Sequence, residues 1–528
     1  MSVTLTVHGA AGCVTGSCYR LTTPGGQQLL VDCGMFQGPK SLKALNYEPF
    51  PFDAARIEAV LLTHAHIDHS GLLPKLMRAG FRGPIYATGG THDLCEVLLP
   101  DSGHIQESEV EQLNRRNERR GRPTVQPIYG VEDAKRTLQL FRRVKLDEAT
   151  EILPGVTARW WNAGHILGSG SIEVTLADAA PLRLFFSGDI GPGGRDFLAD
   201  PQGPAGVDHL IMESTYGERE RPPLTPDERR ALLAKELRDA HAAGGPLLVP
   251  AFAVERTQEL LADLLQVMAE GAAPAADVFL DSPLAIEATD VFLRRGYSAS
   301  AGRNPFEALH AGERLRFLRE PWESDELEQL TGWHVIMAAS GMCDAGRIRK
   351  HLKRLLWRKD ATVLLSGFQA QGTLGRLLAD GVRRVRIQGD EVRVAARIRS
   401  LDVYSGHADA KALAAWALAR RPVGGKVFIC HGEPHSSEAL ARRLEAAGFP
   451  ADSLVRPSLD QAFRLRATLA EAMAQAPARL APAAPSGLDW HNARAALLGE
   501  IDARLEAASD DTARAGLLER LRRVLAGP

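Results

Sequence analysis

Nine residues, Thr63-His64-Ala65-His66-Ile67-Asp68-His69-Ser70-Gly71, constrain this 528-residue chain more than any other stretch. The apolar run Ala59-Val60-Leu61-Leu62 before them reads as a buried strand. Leu72-Leu73-Pro74-Lys75-Leu76-Met77 after them reads as the start of a helix. Three imidazoles and a carboxylate therefore crowd one strand-to-helix turn. Borderline metals such as zinc take nitrogen and oxygen donors of this kind. His64 and His66, two apart on extended backbone, point to one side. Asp68 and His69 lie past the turn and can reach a neighbouring position, so the spacing suggests two metal sites. An H-x-H-x-D-H order is hard to produce by drift, which argues against a chance cluster of surface histidines.

Such a turn needs partners from elsewhere in the chain. Leu29-Leu30-Val31-Asp32 ends an apolar strand in an acid. That acid could be only a turn former, but it is also placed to support a ligand from beneath the cluster. Asn162-Ala163-Gly164-His165-Ile166-Leu167-Gly168-Ser169 puts a histidine in a small-residue turn. Leu184-Phe185-Phe186-Ser187-Gly188-Asp189 puts an acid directly after a buried strand. Each is weak alone, because an isolated histidine is more often structural. Beside the 64–69 cluster, His165 can complete the first site, and Asp189, with two oxygens, can bridge both.

Bulk properties exclude several classes. With 45% hydrophobic and 24% charged residues the chain reads as an ordinary soluble protein, of roughly three or four domains by length. A formal charge of -2 announces no global basic field, so any polyanion site must be a local patch. The start, Met1-Ser2-Val3-Thr4-Leu5-Thr6, lacks the basic and apolar regions of a secretory leader. No apolar run approaches the ~20 residues of a membrane span. Cys13, Cys18, Cys33, Cys95, Cys343 and Cys430 form no C-x-x-C pair and read as reduced thiols of a cytoplasmic protein.

Residues 3–9, 18–23 and 28–33 read as strands of a β-rich layer, and about 91–119 as a long helix. That helix ends in Arg115-Arg116-Asn117-Glu118-Arg119-Arg120-Gly121-Arg122, read as a solvated helix end, with a phosphate-contacting flank as the alternative. Past Glu213 the pattern becomes strand, Gly-rich turn, helix, repeated. Residues 226–243 are helical in pattern, and 246–252, 278–282, 334–340 and 362–366 read as strands. This is an α/β domain with a largely parallel sheet, whose functional loops should lie at the carboxyl ends of its strands. Two Gly-rich loops stand out there, one with Ser340, Gly341 and Arg347, the other with Ser366, Gly367, Gln369 and Thr373. Gly-rich backbone at a helix N-terminus suits a phosphate; the glycines could equally serve tight turns. His407 and His431 each follow a strand and return the chain to its opening style. Residues 469–487 are Ala/Pro-rich and read as a linker. Beyond it, Trp490, Leu497, Leu498, Ile501 and Leu505, then Leu517, Leu518, Leu521, Val524 and Leu525, have helical spacing. This hairpin reads as a cap or an oligomer contact, faintly suggesting a homodimer.

Taken together, the chain resembles the β-CASP branch of the metallo-β-lactamase superfamily, the RNA-processing nucleases. It looks most like bacterial and archaeal relatives of the polyadenylation cleavage endonuclease. The likeness covers roughly 3–465 and rests on Gly9-Ala10-Ala11-Gly12, the 64–69 cluster, Gly164-His165, Ser187-Gly188-Asp189 and Glu213-Ser214-Thr215-Tyr216-Gly217. Asp281-Ser282-Pro283, the two Gly-rich loops, Ser405-Gly406-His407-Ala408-Asp409 and His431-Gly432-Glu433 complete it. The resemblance implies an αββα metallo-β-lactamase sandwich with an inserted α/β cap. Its parts would be 1–216 and 395–468 for the sandwich, 217–394 for the cap and 469–528 for a short helical extension.

The resemblance further implies two zinc ions, one held by His64, His66, His165 and Asp189, the other by Asp68, His69, Asp189 and His431. Asp68 also joins the catalytic set, and Asp32 supports the ligands from behind. His407, paired with Glu213, would donate a proton to the leaving ribose oxygen. Hydrolysis of single-stranded RNA would leave a 5′-phosphate and a 3′-hydroxyl. Ser340, Gly341, Arg347, Ser366, Gly367, Gln369 and Thr373 would hold RNA phosphates, helped by Arg349, Lys350, Lys353 and Arg354. Gly406 and Glu255 depart from the family pattern, where alanine and a small residue are usual. A thioester or lactone hydrolase on the same fold would need the metals but neither the cap nor the His407/Glu213 pair. A non-catalytic RNA-binding scaffold would be expected to have lost ligands, and every ligand position is filled.

Overall fold

The computed structural model describes residues 2–177, 181–195, 198–222, 224–295, 314–367, 369, 373–474, 479, 497–498, 500–501 and 504–526. Two sheets face each other across an apolar core. The first runs, edge to edge, Leu469–Ala472, Gln461–Arg466, Val3–Val7, Tyr19–Thr22, Gln28–Val31, Ile57–Leu61, Ile85–Thr88 and Phe141–Val144. Its pairings are antiparallel up to Gln28–Val31 and parallel beyond. The second runs Leu454–Val455, Val427–Ile429, His209–Met212, Leu182–Phe186, Gly170–Leu176, Val156–Asn162 and Ala149–Leu153. Alternating residues of the two inner faces, among them Leu5, Val7, Leu21, Val31, Trp160, Val174, Leu184, Phe186 and Phe428, fill the space between them.

Helices cover both outer faces. Leu73–Arg78, Gly89–Glu118 and Val131–Leu138 pack on the first sheet, Ala410–Leu418 and Pro434–Ala446 on the second. This is the αββα layering expected from the sequence.

The cap is built on six parallel strands, in the order Leu315–Phe317, Val278–Leu280, Val335–Ala338, Leu247–Pro250, Thr362–Leu365 and Arg397–Ser400. The four expected strands are there, and the helix over 226–243 is Pro226–Ala242. Thr225 caps it with Glu228 in a reciprocal box, which satisfies the first free N–H groups. Apolar packing continues from the sandwich into the cap through Leu98, Ile166, Val254, Ile286 and Val291, so the two parts share a core along their junction.

Two boundaries differ from expectation. Arg397–Ser400 pairs in register with Thr362–Leu365, so the cap sheet extends past 394. Leu469–Ala472, expected to open a linker, is an edge strand on Gln461–Arg466. Both are polar or half-exposed; backbone pairing, not burial, makes them strands. The remainder of that stretch, with Trp490, lies largely outside the described residues. Asp511–Ala526 is helical, and Glu506 before it pairs with Arg384 of the cap. Leu497, Leu498, Leu518 and Val524 are exposed. All six cysteines are buried and unpaired. Among the described residues no helix is long and apolar enough to cross a membrane.

Candidate active site

Every ligand expected from the sequence comes to the rim where the two sheets' strands end. His64 and His66 leave Ile57–Leu61 on the following loop, and Asp68 and His69 sit in the short helix Ile67–Ser70. His165 follows Val156–Asn162, Asp189 follows Leu182–Phe186, and His431 follows Val427–Ile429. Close backbone approach makes the convergence possible. Gly188, at φ 56°, leaves its Cβ position 2.9 Å from Thr63, so any side chain there would push the Asp189 turn off the 64–69 loop.

Two ligand sets emerge. His66 Nδ1 lies 3.2 Å from His64 Nε2 and 3.1 Å from His165 Nε2. Asp189 Oδ2 is 3.5 Å from His64 Nε2 and 3.6 Å from His165 Nε2. On the other side, His69 Nε2 is 3.2 Å from His431 Nε2, and Asp68 Oδ2 is 3.4 Å from the same His431 nitrogen. Asp189 turns its second oxygen, Oδ1, to this set, 3.2 Å from His69 Nε2.

Outer hydrogen bonds aim the rings. The Asp32 carboxylate, on left-handed backbone at φ 60°, takes Thr63 N, Thr63 Oγ1 and His69 Nδ1 at 2.8, 2.9 and 2.8 Å. His165 Nδ1 is held by Gly406 O at 2.7 Å, and His431 Nδ1 by Thr215 Oγ1 at 3.1 Å. Each ring thereby turns its other nitrogen inward.

The donor set fits a metal. Burial holds His64 and His165 well below the usual imidazole range and brings His66 down to about 4, so these rings present lone pairs. Burial opposes the Asp68 charge, but His431 and His69 outweigh it and hold the carboxyl at about 2. Asp189 Oδ1 is buried and makes no well-aligned hydrogen bond, with His69 Nε2 3.2 Å away. Neutral imidazoles and ionised carboxylates with an unsatisfied oxygen suit a cation in the first set. In the second, burial opposes the charge, but Asp189 with Asp32 lifts His69, and Asp189 with Asp68 lifts His431, above the usual imidazole range, so a cation there would displace protons. The cluster is a metal-binding site.

On its third side, His407 Nδ1 lies 3.3 Å from Glu213 Oε1 and 3.9 Å from Asp189 Oδ2. Glu213 is buried and fixed by Ile190 N at 2.6 Å and Thr215 N at 3.3 Å.

Comparison with known proteins agrees with this geometry. The metallo-beta-lactamase superfamily model matches residues 11–232, the Beta-Casp domain 257–378, and the Zn-dependent metallo-hydrolase RNA specificity domain 391–454. Ribonuclease TTHA0252 of Thermus thermophilus is 36% identical over 448 residues, covering 83% of this chain and 95% of the relative. The chain belongs to the β-CASP family of metallo-β-lactamase RNA nucleases. Transcription termination factor FttA of Methanothermobacter thermautotrophicus is 29% identical over 463 residues, 83% of this chain and 68% of the relative. A crystal structure of a protein of unknown function from Enterococcus faecalis V583 shares the fold. Its TM-score is 0.50 at 13% identity, over 88% of this chain and 100% of that one. As a β-CASP protein the chain is a metal-dependent hydrolase, a ribonuclease.

The β-CASP cap loops are tied into their own framework. Gln369 Nε2 donates to Gly341 O and Gly367 O, Ser366 Oγ to Pro250 O, and Thr373 caps the helix Leu374–Ala379 through Arg376 N. Ser340 Oγ accepts from Asp344 N. Phe368, Ala370, Gln371 and Gly372 lie outside the described residues.

Most of the basic residues expected to grip RNA also meet acids or carbonyls of the cap. Arg347 donates to Asp281, Leu318 O and Arg319 O. Lys350 pairs with Asp325 and Glu328, Lys353 with Asp390, and Arg354 with Leu327 O. A charged helix looks the same in sequence whether its acids are solvent or neighbours.

Conversely, three arginines near the site carry no motif and were missed. Arg221 Nη1 donates to His407 O at 2.9 Å, and its guanidinium lies over the Tyr216 ring. Arg195 joins Glu259 of the cap to Ser405 O. Arg256 lies over the Phe252 ring and reaches Ser366 O at 3.1 Å.

Proposed function

We propose that this chain is a zinc-dependent ribonuclease that cuts single-stranded RNA internally, leaving 5′-phosphate and 3′-hydroxyl ends. The observation that carries the reading is one carboxylate, Asp189, shared between two ligand sets, with the His407–Glu213 pair on the third side. In this reading His64, His66, His165 and Asp189 hold one zinc ion, and Asp68, His69, His431 and Asp189 the other. When bound, the pair supplies Lewis-acid charge that lowers the pKa of water and balances charge developing on the phosphoryl group.

The chain's own residues do the rest. Asp32, Thr215 and the Gly406 carbonyl hold His69, His431 and His165 in their working tautomers. Glu213 takes the Nδ1 side of His407, orients the ring and stabilises its protonated form, so the remaining nitrogen can donate to the leaving ribose oxygen. Arg221 fixes the His407 backbone. In this reading RNA lies between the cap and the cluster, held by its backbone, and backbone contacts carry little base information. A thioester or lactone hydrolase would need neither the pair nor the cap. The exposed apolar side chains of the C-terminal helices keep a homodimer within the proposal, to be tested by sedimentation of the full chain.

The test is cleavage of a 5′-labelled single-stranded RNA by zinc-loaded protein, beside a chelator-stripped sample and His407→Ala. Internal fragments are expected, abolished by stripping and slowed about 10²–10⁴-fold by His407→Ala with zinc content unchanged. Two bound zinc ions without RNA cleavage would defeat the assignment; release of mononucleotides would replace endonuclease by exonuclease.

A further inference from the structure

The long helix Gly89–Glu118 extends beyond anything the fold uses to bury it. Its N-terminal end is anchored beside the metal cluster, where the Thr88 and Thr91 hydroxyls donate to Gly168 O in the loop that presents His165. Val110 is its last buried residue. From 111 to 126 every residue is exposed or half-buried. Ordering such a segment costs conformational entropy that no burial returns, and an unsupported helix end frays.

Here the chain is instead folded back and pinned. Asn114 accepts from Val125 N at 2.8 Å and donates to Val125 O at 2.9 Å. Asn117 donates to Pro123 O at 3.1 Å and accepts Arg122 N at 2.9 Å. The result is an arm presenting Arg115, Arg116, Arg119, Arg120 and Arg122, all exposed.

Charge on this arm is not balanced locally. Glu111 pairs with Arg115 at 2.6 Å. Arg116, Arg119, Arg120 and Arg122 have no side-chain partner among the described residues. The helix dipole rationalises a cation in the last turn, but Arg120 and Arg122 lie beyond it. The whole chain carries -2, so the arm's charge is not a share of a global basic excess. It has no aromatic residue on which a base could stack.

We propose that this arm is a second RNA contact, gripping backbone phosphates ~42 Å from the metal cluster, taking ~1.5 Å per helical residue from Thr91 to Arg119. Guanidinium groups match phosphate geometry, so the contact adds affinity for long strands without sequence preference. It rests on the ribonuclease reading above.

The test measures binding by fluorescence anisotropy, with zinc-loaded full-length protein in the His407→Ala background, where cutting is slow against the measurement. The probes are labelled oligouridines of about 8 nucleotides, within one binding footprint, and about 30 nucleotides, ~100 Å at ~3.4 Å each. The variant is Arg116→Gln/Arg119→Gln/Arg120→Gln/Arg122→Gln, its fold checked by circular dichroism. The 30-mer should bind about tenfold more weakly, with the salt slope reduced by roughly 3, at ~0.7 per phosphate. The 8-mer should change less than about twofold, and the matching lysine variant should restore most 30-mer affinity. An unchanged 30-mer affinity and slope would overturn the proposal. Equal weakening of both RNAs would also overturn it, by placing the effect in the general field of the protein. If the protein with its native arm binds neither RNA, the ribonuclease reading fails first and this inference with it.

Discussion

Asp32 shows how much one side chain sets at this site. A single carboxylate holds the Thr63 backbone, the Thr63 hydroxyl and the His69 ring. Asp32→Ala is expected to weaken metal binding about 10–100-fold, read by competition with a chelator of known affinity; an unchanged affinity would mean that Thr63 alone orients His69. Glu255 is the opposite case. It sits at φ 71° and is buried, with Oε2 lacking any hydrogen bond. Burial first, then Glu259, pushes its carboxyl well above the usual range. Glu255→Gly removes both the backbone strain and the buried acid. It should stabilise the protein by about 1–3 kcal/mol, seen as a higher denaturant midpoint; a lower midpoint would show that its contact to the Leu167 backbone outweighs them. Asp32 was legible because an acid ending an apolar strand near a metal turn has few other uses. Arg195 and Arg221 were not, because Ser405 and His407 lie 210 and 186 residues further along the chain.

At the scale of elements, the long helix joins sandwich to cap, and one of its residues responds to pH. Asp101 packs near the helix Pro283–Arg295. Burial first and Glu287 second push its carboxyl up to about 6, with His104 opposing and Tyr129 nearby. A folded pKa above the unfolded value means the fold favours the protonated form. Its contribution is therefore complete below about pH 4 and is lost as pH rises through about 6. Asp101→Asn should be more stable than wild type at pH 7 by about 1–3 kcal/mol, with the two converging below pH 4; denaturant midpoints across this range decide it, and a constant difference would refute it. Apolar strands and long helices were readable because their periodicity reports burial. Arg397–Ser400 and Leu469–Ala472 were not, because edge strands with polar faces are made by the partner's hydrogen bonds.

For the whole molecule, the metal cluster is a bolt between layers. The 64–69 ligands come from the first sheet, and His165, Asp189 and His431 from the second. Metal binding favours the folded state, by about 4 kcal/mol at a thousandfold excess over Kd. Chelation should therefore lower the thermal midpoint in calorimetry, and zinc should restore it; a midpoint indifferent to chelator would show that the sheets need no metal to stay together.

The sequence by itself determined the ligand chemistry, the αββα sandwich with its inserted cap, and the family. Local order of donors and the period of apolar residues carry that information along the chain. Only the tertiary structure decided which charges were engaged. It brought Asp281 to Arg347 and Glu259 to Arg195, and left Arg116, Arg119, Arg120 and Arg122 on an arm without side-chain partners among the described residues. The reason is physical: a charge's role depends on the neighbour that meets it in space, and charge pairing leaves no period in the sequence.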